Sequence, residues 1–126
     1  MAIHQSTLEK LQHFTLLATS TITATGNQTG IDLQAYDGEI QIILNATAAG
    51  SGNTLTFRIE ESANDSSYAA VTGGTFTAVA NAASKQVLTL NASDLRRYIR
   101  VSCSAASGTP SSSVTVNGYG TRQYEG

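Results

Sequence analysis

Cysteine and proline each occur once in this 126-residue chain, and tryptophan does not occur at all. The lone Cys103 excludes an intrachain disulfide and fits a reducing compartment. Pro110, the one proline, argues against proline-rich linkers, and no period of about 20 to 50 residues marks a solenoid. Charge is scarce too: Asp, Glu, Lys and Arg make up 13% of the chain, against about 25% in an average globular protein. With a formal net charge of -2, the molecule as a whole repels a phosphate backbone, so nucleic acid is not an expected partner. Apolar runs such as Ile42 to Leu44 fall far short of the about 20 residues that cross a bilayer. The opening "MAIHQSTLEKLQHFTLL" lacks a basic region followed by an apolar stretch. The expectation is a soluble protein made in the cytoplasm, with no membrane partner.

Catalytic equipment is thin as well. His4 and His13 lie nine residues apart with no Cys or carboxylate company, which is no recognised ligand spacing, so neither metal nor other cofactor is expected. Cys103 alternates with Ile99 and Val101 and reads as a small buried hydrophobe; a reactive thiol needs exposure and a base beside it. Glu60 and Glu61 are neighbours on a predicted strand and point to opposite faces, so they do not form a carboxylate pair. The glycines of "AAGSGN" and "NGYGTRQ" lack the strand-to-helix context that cradles phosphate and read as turns. Sequons at Asn27, Asn45, Asn64 and Asn91 follow from an Asn/Ser/Thr-rich composition. No residue is assigned a catalytic role, and an enzyme is not expected.

What the chain has in plenty is Thr, Ser, Ala, Asn and Gly, arranged in short alternating runs. "GEIQIILNAT" puts Ile40, Ile42, Leu44 and Ala46 on one side and Glu39, Gln41 and Asn45 on the other. "NTLTFRIEES" does the same with Leu55, Phe57 and Ile59 against Thr54, Thr56, Arg58 and Glu60. Weaker runs, "LLATSTITAT", "TGIDLQAY", "SYAAV", "TFTAV", "KQVLTLN", "RYIRVSCSA" and "SSVTVNGYG", are joined by turn-forming clusters. The pattern predicts an all-β, jelly-roll-like β-sandwich of about eight or nine strands. A chain this long buries roughly 65% of its unfolded surface, which suits one domain without metal or disulfide. Residues 1–14 are expected to form an N-terminal arm, or a short helix opened by Ser6 and Glu9 and continued through Leu8, Leu11 and Phe14. Residues 15–126 are expected to hold the sandwich with a short C-terminal tail.

The densest charge is in "NASDLRRYIRVSCSAAS". Alternation points Ile99, Val101, Cys103 and Ala105 inward and Tyr98, Arg100, Ser102 and Ser104 outward, and leaves Arg96 and Arg97 in the preceding turn. Arg100 then pairs across strands with a carboxylate such as Glu39 or Glu60, or it faces a protein neighbour, where Arg is favoured. Outward parity would make loss of Arg100 tell on assembly more than on folding. The interface candidates are Leu8, Leu11 and Phe14 in the arm; Arg96, Arg97, Tyr98 and Arg100; and Tyr119, Arg122 and Tyr124 near the C-terminus. A glycan-binding or adhesion module is the alternative, resting on exposed Tyr68, Tyr98 or Tyr119 as aromatic platforms.

The succession "TATGNQTGIDL", "EIQIILNA", "NDSSYAAV", "LRRYIRV" and "GTPSS" resembles the small head decoration, or cement, proteins of tailed bacteriophages. The likeness spans about residues 20 to 120 and includes no catalytic signature; the arm with Leu8, Leu11 and Phe14 departs from it. It implies a jelly roll that assembles as a homotrimer and sits on the outer capsid surface of the virion. There it would bind the major capsid protein and clamp neighbouring capsomers. It supplies no functional residue to carry over.

Overall fold

A computed structural model describes residues 11–122. The nine strands are β1 (Leu11–Ile22), β2 (Gly26–Asn27), β3 (Ile31–Asp32), β4 (Tyr36–Ala46), β5 (Thr54–Ser62), β6 (Ala69–Thr75), β7 (Ser84–Asn91), β8 (Tyr98–Ser107) and β9 (Ser112–Arg122). One turn of 3-10 helix, Ala92–Asp94, follows β7 and is capped by the Asn91 side chain. The alternating apolar residues form strands because each run has one side to bury: Ile40, Ile42 and Leu44 of β4 and Leu55 and Ile59 of β5 have no solvent exposure.

All pairings between strands are antiparallel, and they build two sheets ordered β1-β9-β4-β7 and β2-β8-β5-β6, with β3 also on β8. When β2 and β3 are counted as one interrupted strand, the pairs β1 with β9, β2/β3 with β8, β4 with β7 and β5 with β6 nest inside one another. They are the rungs of one long hairpin rolled over on itself, which is the jelly roll that the sequence predicts. The inner faces meet through Ile99, Val101, Val114 and Val116 as well as the residues of β4 and β5.

Irregular pairing accounts for several departures from the sequence expectations. The expected arm or helix through Leu11 and Phe14 is strand: the boundary drawn at residue 14 falls inside β1, while Leu8 lies outside the described residues. Phe14 is 8% exposed and belongs to the core rather than to an outer contact, with its ring tilted against Tyr36 at 5.1 Å. A register shift between Thr15 and Leu17 then lets consecutive Leu16 and Leu17 both face inward. "TFTAV" is not a separate strand; Phe76 donates its N–H to Phe57 O at 2.9 Å and Val79 bridges Leu55, which prolongs the β6 side of β5. In β8, the step from Cys103 opposite Phe57 to Ala105 opposite Thr56 skips Ser104 and moves Ala105 to the outer row, where it is exposed rather than inward.

Gly118 of β9 is required by close packing: a Cβ there would overlap the Phe14 ring. Gly118→Ala is expected to lower stability by about 1–3 kcal/mol through overpacking. In urea titrations the double variant Phe14→Ala/Gly118→Ala should cost less than the two single changes together. An unchanged midpoint for Gly118→Ala would show instead that the ring moves aside freely.

Candidate functional site

The register of β5 on β8 sets Glu60 directly opposite Arg100 on the outer side of their sheet. Although it points away from the core, Glu60 is only 4% exposed. Arg58, two residues back on the same side of β5, brings Nε to 2.9 Å and Nη2 to 2.7 Å from Oε2. Arg100 brings Nε and Nη2 each to 2.8 Å from Oε1. Each carboxylate oxygen therefore receives a two-pronged guanidinium, the geometry that arginine satisfies and lysine does not. Burial alone would raise the Glu60 pKa, but the hydrogen bonds and charges of Arg58 and Arg100 outweigh it and hold the carboxyl below the ordinary glutamate range.

Tyr68 covers this triad, its ring 4.0 Å from the Arg100 guanidinium carbon. The loop "SANDSS" delivers it: Asn64 Oδ1 accepts the N–H groups of Ser66 and Ser67, and Ser62 Oγ accepts that of Asn64. Tyr68 donates its hydroxyl to Asp65, and burial together with that carboxylate pushes its pKa up to about 12. Gly30 packs its backbone against this pair, where a Cβ would meet the Tyr68 hydroxyl and the Asp65 carboxylate. Beside the triad, Ser102 donates to Asn27 Oδ1 at 2.7 Å.

The remaining arginines of the cluster are separate. Arg97 forms an exposed two-pronged pair with Asp32, at 3.1 and 2.9 Å, and lies over the Tyr98 ring at 5.2 Å. The hydrogen bond from Arg97 holds the Asp32 carboxyl below its usual range. Solvent screening makes this surface pair a small contributor to stability. Arg96 is exposed and donates its backbone N–H to Glu61 Oε1 at 3.0 Å. Arg122 closes β9, and Tyr124 lies outside the described residues, as does His4. Leu11 opens β1 opposite Thr121.

Tyr119 sits on the other side of the sandwich. The outer face of β1-β9-β4-β7 carries it at 37% exposure and Val87 at 51%, with Ile43 in register between Val87 and Asn117. The His13 ring lies tilted against Tyr119, 5.2 Å between centroids, and its Nε2 reaches Asn117 Oδ1 at 3.2 Å. Thr19 and Thr115 share a 2.7 Å hydrogen bond beside them. The sequence candidates thus divide between opposite faces: an arginine-rich one near Tyr98 and an amide- and hydroxyl-rich one around Tyr119. Tyr68, one of the tyrosines on which a sugar platform would rest, is half-buried over Arg100.

Glu60 is held below the ordinary glutamate range against its own burial by Arg58 and Arg100, and burial raises the pKa of the free Cys103 thiol, which is 5% exposed. Among the described residues no group of three His, Cys, Asp or Glu side chains could hold a metal ion. Arg58 was not foreseen as a second partner of Glu60. Its position two residues away, on the same side of a strand, was the available signal.

No protein-family model and no curated protein sequence matches the chain. Among solved structures it is similar to the SPBc2 prophage-derived protein YomS, with a TM-score of 0.56 and 12% identity over 87% of this chain and 91% of that one. It is also similar to a chain of infectious bursal disease virus, Gx strain, with a TM-score of 0.52 and 13% identity over 86% of this chain and 30% of that one. The third is the VP2 subviral particle of infectious bursal disease virus, with a TM-score of 0.51 and 12% identity over 88% of this chain and 32% of that one. At these identities the likeness is one of fold, and the chain spans under a third of the length of either of these two viral chains.

Removing either Arg58 or Arg100 leaves Glu60 one partner, whereas removing both leaves a buried charge unpaired. The double variant Arg58→Ala/Arg100→Ala should therefore cost about 1–2 kcal/mol more than the sum of the single variants in a denaturant double-mutant cycle. Simple additivity would mean that solvent reaches Glu60 once one arginine is gone. A pH series supplies a second check. Because the folded pKa of Glu60 lies below the ordinary 4.5, its stabilisation is present above that pH and is lost as pH falls through the folded value. Glu60→Gln should cost about 2–3 kcal/mol at pH 7, somewhat less than for a fully buried pair because Arg58 is partly exposed, and the gap to wild type should narrow below about pH 4.5. A gap that stays constant into acid would remove the ion pair from the explanation.

Proposed function

We propose that this chain is a virion structural protein: a decoration, or cement, protein that binds the outer surface of a phage head as a homotrimer. The observation that carries the reading is a jelly roll similar to the SPBc2 prophage-derived protein over 91% of that protein's length. The resemblance in sequence to phage head decoration proteins agrees with it. The partner is then the major capsid protein, and the site of synthesis is the host cytoplasm.

The two outer faces suit two contacts. The sheet face around Tyr119, Val87 and Ile43 bears apolar groups, amides and hydroxyls, with Lys85 and Glu39 among its few charges, and it suits packing against another subunit. Arg96 and Arg97, exposed at the turn before β8, suit a capsid contact of opposite charge. Arg97 stays exposed although it pairs with Asp32, whereas the Arg100 guanidinium pairs with Glu60 and is covered by Tyr68. A trimer would present three such turns at once, so that weak individual contacts combine through effective concentration. Bound trimers would favour the intact shell over separated capsomers by mass action.

Light scattering on the purified protein should give a mass of about three times the 13.1 kDa chain. Cosedimentation with empty phage heads should saturate at a fixed number of trimers per head. The double variant Arg96→Glu/Arg97→Glu should weaken attachment by about tenfold or more with little change in melting temperature, as expected for exposed charges. A protein that stays monomeric and remains in the supernatant would refute the assignment.

A further inference from the structure

On one side of the sandwich the edge strands of the two sheets are β6 and β7. There, among the described residues, β6 pairs with β5 alone and runs near β7, which pairs with β4 alone. At one end the two layers are clasped: Gln86 of β7 accepts the Thr77 N–H at 2.7 Å and donates to Thr77 O at 2.8 Å, so an amide side chain occupies the backbone groups that another strand would use. At the other end the layers part, leaving a groove of about 490 Å³, within the range of about 300–1,000 Å³ typical of ligand sites. Val71, Leu90 and Leu95 contribute its apolar lining, and Glu39, Glu61 and Asp94 its charge. Three of the chain's nine acidic residues thus line this one groove, and none of its seven Lys and Arg residues does. The three carboxylates make no ion pair among the described residues, unlike Glu60 and Asp32. Among the described residues they do not form a group that could hold a metal ion.

From this arrangement we propose that the β6–β7 groove binds an extended, basic segment of a partner polypeptide. The segment lies beside the free edge of β7 at Thr89–Asn91, exchanging backbone hydrogen bonds as an added strand. Its Lys or Arg side chains reach Glu39, Glu61 and Asp94, and its intervening apolar side chains settle on Val71, Leu90 and Leu95 by the two-residue period of a strand. The edge supplies affinity without regard to sequence, and the carboxylates supply the preference for a basic segment. The site does not depend on the capsid assignment.

The test is a titration of the full-length, ¹⁵N-labelled protein with the peptide Ac-KVKTKV-NH2, and in parallel with its acidic counterpart Ac-EVETEV-NH2. The basic peptide should give saturable shifts of the backbone amides of Val71, Thr72 and Thr89 to Asn91, and the acidic peptide should give none. The variant Glu39→Gln/Glu61→Gln/Asp94→Asn, which keeps the shape of the groove, should weaken binding by about tenfold. The absence of saturable shifts, shifts confined to the outer sheet faces, or equal binding by both peptides or by the triple variant would overturn the proposal. No phage head enters this measurement, so its failure leaves the decoration assignment intact, and a failure of head binding leaves the groove intact.

Discussion

The interlocking of two rows of side chains governs the rest of this structure. Strands β4 and β9 of one sheet, and β5 and β8 of the other, contribute Ile40, Ile42, Leu44, Val114, Val116, Leu55, Ile59, Ile99 and Val101, all without solvent exposure. Because strand side chains alternate, a slip of one residue in any of these four strands would turn its whole buried row outward. Their registers are consequently fixed, and the positions of polar groups on the outer faces follow. Glu60 meets Arg100 because Ile59 must face inward beside Val101 in the same ladder. Desolvation offsets much of the attraction in a buried ion pair, but a displaced register would leave the charge unpaired.

The same constraint explains which parts of the molecule can be read from the sequence. Runs such as "GEIQIILNAT" and "NTLTFRIEES" announce their faces because every second residue is apolar, and the structure follows them residue by residue. The Arg100–Glu60 pair was legible as one of two cross-strand options, and the burial of Cys103 was legible from parity. The rest required pairing information that a single strand does not contain. A bulge at Ser104 reverses the parity of Ala105, and another near Leu16 gives β1 two inward leucines in succession. Phe14 looked like part of a loose arm because "LQHFTLL" alternates poorly; its place in the core comes from the space left by Gly118, 104 positions further on. The β6–β7 groove is least legible of all, since its walls come from five separate stretches between Glu39 and Leu95.

Low charge content gives the arrangement its character. In a chain with 13% charged residues, most of the Arg, Asp and Glu side chains that pair do so with each other on the β2-β8-β5-β6 side. The opposite face is mostly Thr, Asn, Tyr, Ile and Val, with Lys85 and Glu39 among its few charges. Such a face is poor at steering a distant partner, because steering needs charge, but it can pack closely once contact is made. The exposed Arg96 and Arg97 have the complementary property, with long reach and weak hold.

The groove and the arginine turn adjoin, since Asp94 and Leu95 line the groove and Arg96 donates its backbone N–H to Glu61 Oε1, and that closeness bears on how the molecule could serve in an assembly. A contact through Arg96 and Arg97 therefore borders the β6–β7 edge, where a further strand can be added. A jelly roll is suited to this because its strand pairs nest: the central strands carry the core, and the edge strands β6 and β7 can accept a neighbour without disturbing a register already fixed by β4, β5, β8 and β9. Gln86 limits that opening. By bonding the Thr77 backbone it closes one half of the edge against indiscriminate pairing, and the free half is the one lined by carboxylates, where a neighbouring strand must bring cations to be held.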